Sequence, residues 1–105
     1  MFNVKVVGHD KLFKCAHANG ITIICFGLGS AAAATCIDLL IAIQPTAVLF
    51  LGKCGGLKNK TEVGSYVLPI GAIRGESTSD EYLPKACPSL PSFSLQKAVS
   101  STLRD

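Results

Sequence analysis

Apolar and polar positions fall into blocks with two different periods. Residues 21–26, ITIICF, form an unbroken apolar and largely β-branched run, which predicts a strand. Gly27-Leu28-Gly29 interrupts it. Ser30 is a good helix N-cap residue, because its hydroxyl can accept from free amides of a first helical turn. In residues 31–43 the apolar side chains of Ala32, Cys36, Leu39, Leu40 and Ile43 recur at spacings of three and four, which predicts a helix that Pro45 stops. Residues 47–51, AVLFL, predict a second buried strand, followed by Gly52-Lys53-Cys54-Gly55-Gly56. A strand–helix–strand unit sets its strands parallel with a right-handed crossover. Both glycine turns then fall at the carboxyl ends of strands, where open α/β sheets bind ligands. The expected fold class is therefore α/β, a mostly parallel sheet flanked by helices.

The flanking segments are less regular. Residues 2–7 alternate and predict an edge strand or an extended lead-in ended by Gly8, whereas residues 9–19 are polar and mixed. Asn19-Gly20 is a hairpin signal leading into the strand at 21–26. Residues 62–70 predict a third strand, with Gly64 as a bulge and Pro69 as an edge or end marker. Ala72-Ile73 resumes it. RGESTSD at 74–80 predicts a polar loop, and Pro84, Pro88 and Pro91 exclude a regular element between 82 and 91. Phe93, Leu95, Val99 and Leu103 predict an amphipathic helix over 92–103.

Composition narrows the class. The 105 residues suffice for one domain at most, and 49% hydrophobic against 16% charged residues is not a disordered composition. Mean hydropathy is +0.42. The long uncharged stretch, residues 18–37, is broken by Asn19, Gly20, Gly27, Gly29 and Ser30, so it reads as buried strand and helix rather than a membrane span. The net charge of +3 comes from scattered residues without interleaved aromatics, which argues against nucleic-acid binding. Five cysteines, at 15, 25, 36, 54 and 87, include no CxxC pair. A reduced, cytoplasmic setting fits them best. His9 and His17 lack the spacing of a zinc site, so no metal is expected.

Three segments carry candidate chemistry. Gly27, Gly29 and Ser30 join a strand to a helix whose first amides would attract an anion. The pattern lacks the third glycine of a dinucleotide fingerprint and the GK[ST] of a P-loop, so a plain strand-to-helix turn is the favoured reading of the pattern alone. The second turn sets a cation among glycines. By pattern, Lys53 is evenly balanced between a surface lysine and a phosphate ligand. Cys54 has no histidine near it in sequence, and a packing or backbone role outweighs a nucleophilic one. Arg74, Glu76, Ser77, Thr78, Ser79 and Asp80 form a polar cluster suited to a base, a ribose or a phosphate, with a solvated loop as the plainer reading. Glu76 and Asp80 are not assigned as an acid/base pair, since nothing in the sequence sets their separation.

GLGSAAAATCIDLL, then QPTAVLFLGKCGGLKNKTEVGSYVLPIGAIRGESTSDEYLP, then PSLPSFSLQKAVSSTLRD resembles the bacterial AMP nucleosidases of the nucleoside phosphorylase superfamily. The resemblance runs from Gly20 onward and includes VVGHDK at 6–11. It implies a nucleoside-phosphorylase-like fold and hydrolysis of AMP to adenine and ribose 5-phosphate. The chemical step would need no metal and no cofactor, although ATP activates some members, and the complete enzyme would be a homo-oligomer. By resemblance, Gly27, Gly29 and Ser30 lie beside ribose and phosphate. Lys53, Cys54, Gly55 and Gly56 lie along the nucleotide, with Lys53 standing where phosphorylases commonly carry serine or threonine. Arg74, Glu76, Ser77 and Thr78 lie near the substrate.

The family's first strand and its phosphate-contact loop would precede Met1. The Met-Glu segment that holds the ribose hydroxyls and the acid that protonates the purine would follow Asp105. Residues 1–105 are thus expected to be one partial domain, the central part of a catalytic domain, with no catalytic acid assigned. Alternatives are a phosphorylase-like enzyme acting on a purine nucleoside, and a non-catalytic remnant that binds nucleotide or self-associates.

Overall fold

A computed structural model of the chain describes residues 4–8 and 12–104. Two compact units divide it. One holds residues 1–45 and 76–82, the other 46–75 and 83–105.

In the first unit three strands form one antiparallel sheet in the order β1-β2-β3: β1 is Val6–Val7, β2 Lys14–Ala18 and β3 Ile21–Cys25. The β2–β3 hairpin follows from its turn. Asn19 and Gly20 have φ of 52° and 77°, so both central residues are left-handed, as a two-residue type I′ loop requires. Ala18 then faces Ile21 and Lys14 faces Cys25. Across this ladder His17 Nδ1 lies 2.7 Å from Thr22 Oγ1, so His17 is a cross-strand partner. His9, the other histidine, lies outside the described residues.

Helix α1, Ser30–Ile41, follows the predicted apolar spacing on part of its face. Cys36 is the buried hydrophobic residue of the described chain, with Ala32 and Leu40 half-buried one turn to either side. Ser30 is not the N-cap: Gly29 is, with φ 94° and ψ 159°, and no side chain caps the helix. Only glycine adopts that backbone readily, so Ser30 falls inside the helix and its hydroxyl is directed to other partners. The helix ends two residues before the predicted Ile43, and Gln44 turns the chain at φ 46° ahead of Pro45. A 3-10 helix, Ser77–Glu81, occupies the expected loop.

In the second unit the ordered element is α2, Phe93–Arg104. It half-buries Leu95 and Val99 but leaves Phe93 82% and Leu103 46% exposed. Gln96 Nε2 donates to Pro69 O at 3.1 Å and holds the helix to the preceding chain. An isolated antiparallel bridge joins Ala72 to Ser89, with N–O distances of 2.9 and 3.1 Å.

These observations correct the expected mostly parallel sheet. No parallel pairing occurs among the described strands. Residues 47–51 and 62–70 carry no strand, and Gly64 sits in a turn closed by Ser65 N to Glu62 O rather than in a bulge. A two-residue turn supplies its own antiparallel partner, whereas a parallel strand depends on neighbours distant in sequence. Leu49, Phe50 and Leu51 are 58%, 62% and 85% exposed, so the apolar run at 47–51 is not seated in a core. No helix among the described residues is long and apolar enough to cross a membrane.

Candidate functional site

The candidate residues fall in both units, and each set is built separately. In the first unit, the chain leaves β3 through Gly27 and Gly29, whose φ values are 87° and 94°. Space is open around both: a side chain added at either would meet nothing within 4 Å. These glycines are therefore required by backbone conformation rather than by crowding. The Gly29 carbonyl accepts from Ala33 N at 3.2 Å, which starts the helix.

Ser30 and the 76–80 part of the polar cluster, which the sequence left as separate candidates, meet here. Ser30 Oγ lies 3.2 Å from Thr78 Oγ1. Glu76 caps the 3-10 helix: its Oε1 accepts from Thr78 N at 3.1 Å and from Thr78 Oγ1 at 2.8 Å. The Thr78 hydroxyl, then Ser30, then the Thr78 amide hold the Glu76 carboxyl below the usual carboxylate range. Glu76 is thus ionised at neutral pH and is no proton donor. Ser77 is exposed as the first residue of the 3-10 helix, and Ser79 Oγ donates to Glu76 O at 3.4 Å.

Two residues of this network were missed at the sequence level. Tyr82 Oη donates to Asp38 Oδ2 at 2.9 Å, tying the end of the 3-10 helix to α1. The Asp38 carboxylate is the first cause of a raised Tyr82 pKa, because it stabilises the phenol in its protonated form. Asp38 did carry a signal: it is the one charged residue of a mostly apolar helix.

In the second unit, Lys53, Cys54, Gly55 and Gly56 are all exposed. No glycine of this turn has a positive φ. Gly56 is the crowded one, since an added Cβ would come within 2.9 Å of Thr61 Cβ. Lys53 makes no hydrogen bond or ion pair to any described residue. Cys54 is a free thiol, as are Cys15, Cys25, Cys36 and Cys87. No group of three or more potential metal ligands occurs among the described residues.

Arg74 is engaged by the backbone of the same unit. Its guanidinium donates to three backbone carbonyls, those of Leu83 at 2.9 Å, Cys87 at 3.2 Å and Pro84. A shallow depression of about 390 Å³ is lined by Ser65, Tyr66, Leu68, Ser100, Leu103 and Arg104, none of them a predicted site residue.

Comparison with known proteins agrees with the quoted motifs. The chain matches the profile of the phosphorylase superfamily over residues 3–105. It is similar to the crystal structure of AMP nucleosidase from Bacteroides thetaiotaomicron, with a TM-score of 0.91 and 57% identity, over 96% of this chain and 44% of that one. It is 35% identical over 85 residues to the AMP nucleosidase of Escherichia coli K12, covering 80% of this chain and 17% of that protein. It is 29% identical to a uridine phosphorylase of Treponema pallidum over 81% of this chain and 33% of that protein. The chain therefore spans less than half the length of each of these proteins. The structural likeness confirms a nucleoside-phosphorylase-like fold, while the mostly parallel sheet expected with it is not what the described strands form. By the match across nearly its whole length, this chain belongs to the phosphorylase superfamily.

Proposed function

We propose that the chain is a nucleotide-holding part of an AMP nucleosidase, an N-glycosidase that converts AMP and water to adenine and ribose 5-phosphate. The observation that carries this reading is the 57% identity to a solved AMP nucleosidase over 96% of the chain. Residues 1–105 contribute to one catalytic domain, acting on a small nucleotide in the cytoplasm with no cofactor.

Lys53 is the group suited to the 5′-phosphate, as a compact, exposed and unpaired ammonium among glycines. Gly55 and Gly56 let the ligand approach the backbone, with Cys54 between them and Lys53 as a backbone contact. In the first unit, taken by itself, the family resemblance assigns Gly27, Gly29, Ser30, Ser77 and Thr78 to substrate binding.

Cleaving the glycosidic bond builds positive charge on the ribose and negative charge on the purine, and the second requires a proton donor. Glu76 cannot serve, since its hydrogen bonds keep it ionised. The chain by itself is expected to bind AMP without appreciable turnover. Calorimetry and a thermal-shift assay with AMP test the binding; no heat and no shift would refute it. Steady release of adenine would contradict the assignment of binding without turnover.

The superfamily match and the phosphorylase relatives favour a second reading, phosphorolysis of a nucleoside. Product analysis on a full-length relative separates the two, because phosphorolysis yields ribose 1-phosphate and hydrolysis of AMP yields ribose 5-phosphate.

A further inference from the structure

Among the cations of the second unit, Arg74 and Lys53 are the two that the sequence reading assigned to the substrate, and the structure treats them differently. The reason begins with Pro84, Pro88 and Pro91. Each proline removes a backbone donor, so the segment has more carbonyls than amides to pair them. One internal bond, Cys87 N to Pro84 O at 2.9 Å, closes a turn, and Ser89 pairs with Ala72. The carbonyls of Leu83, Pro84 and Cys87 all receive the guanidinium of Arg74. A planar group with five donors can reach three carbonyls at once, whereas an ammonium cannot present the same fork. Lys53, by contrast, is exposed and makes no such bond.

We propose that Arg74 is a positioning residue that holds the 83–87 segment by its carbonyls, and that, of these two cations, phosphate selectivity belongs to Lys53 and not to Arg74. This rests on the reading of the Lys53 turn as a phosphate contact. Arg74 acts on ligand binding only through the segment it orders, so its loss does not distinguish a nucleotide from a nucleoside.

The test measures binding of AMP and of adenosine to the wild-type chain, Arg74→Lys and Lys53→Met. Lys53→Met is expected to lower AMP affinity about tenfold, the scale of a lost charge-assisted hydrogen bond, and to leave adenosine unchanged. Arg74→Lys is expected to lower both by the same factor, keeping their ratio at the wild-type value, while exchange of the Cys87 and Ser89 amides speeds up. A loss confined to AMP in Arg74→Lys would overturn the proposal.

The wild-type chain provides a second measurement that does not depend on the variant folding. The Arg74 side-chain Nε–H resonance is expected to stay in place at saturating AMP, and a large shift would overturn the proposal. If AMP does not bind at all, the nucleotide reading and the Lys53 assignment fail together. The Arg74 assignment then stands or falls on the amide exchange alone.

Discussion

The two glycine turns look alike in sequence and are held by different physics. The turn at 27–29 is defined by backbone conformation, with two positive-φ glycines between a paired strand and a helix. Its neighbour Ser30 is drawn into a chain of hydrogen bonds with Thr78 and Glu76. The turn at 52–56 has no positive φ, no flanking strand and no side-chain hydrogen bond from Lys53. The first turn is therefore specified locally. The second shows crowding at Gly56, where an added Cβ would meet Thr61.

Glycine substitutions sharpen that contrast. Gly29→Ala should have the largest effect: it forces a side chain into a region open to glycine alone and should destabilise the chain by about 1–3 kcal/mol, read as a lowered melting midpoint. Gly56→Ala should cost less, since Thr61 at 2.9 Å must shift but the site is exposed. Gly52→Ala meets nothing within 4 Å at an ordinary φ, and should change stability by no more than about 0.5 kcal/mol. Equal costs at positions 29 and 52 would break the comparison.

Smaller effects come from the network behind the first turn. The Glu76 pKa is lowered from 4.5 in the folded chain, so its contribution is fully present above that value and fades as pH falls through the folded pKa. Glu76→Gln should flatten the acid limb of stability against pH. Tyr82 runs the other way. Its pKa is raised from 10.0, so its contribution is intact below that pH and is lost as pH climbs through the folded pKa. With Tyr66 replaced by Phe, ultraviolet titration isolates Tyr82, and Asp38→Asn should return its midpoint toward 10.0. A midpoint unaffected by Asp38→Asn would remove the tie between the 3-10 helix and α1.

How much of this was legible depended on where each element finds its partners. The Asn19-Gly20 turn announced the β2–β3 hairpin, because a left-handed pair fixes its own register. Both helices were readable from spacing, apart from one or two residues at their ends. Strand β2 was hidden: Lys14-Cys15-Ala16-His17-Ala18 has little β-propensity, and it is a strand because β1 and β3 pair with it on either side. The reverse held at 47–51, where propensity was strong but strand structure needs neighbours that no local signal supplies.

In the candidate site, residue types singled out segments, while the hydrogen bonds those residues make had no sequence signal. Arg74 and Glu76 suggested a substrate cluster; in the structure Arg74 donates to backbone carbonyls around three prolines, and Glu76 caps the 3-10 helix. Lys53 makes no hydrogen bond or ion pair to any described residue.

The central claim, that the Lys53 turn holds the phosphate of a nucleotide, is tested most directly by calorimetric titration of the wild-type chain and Lys53→Met with AMP. Saturable binding by the wild type, weakened about tenfold by the substitution, is the expected result. Equal AMP affinity in the two proteins, or no binding by the wild type, would contradict it.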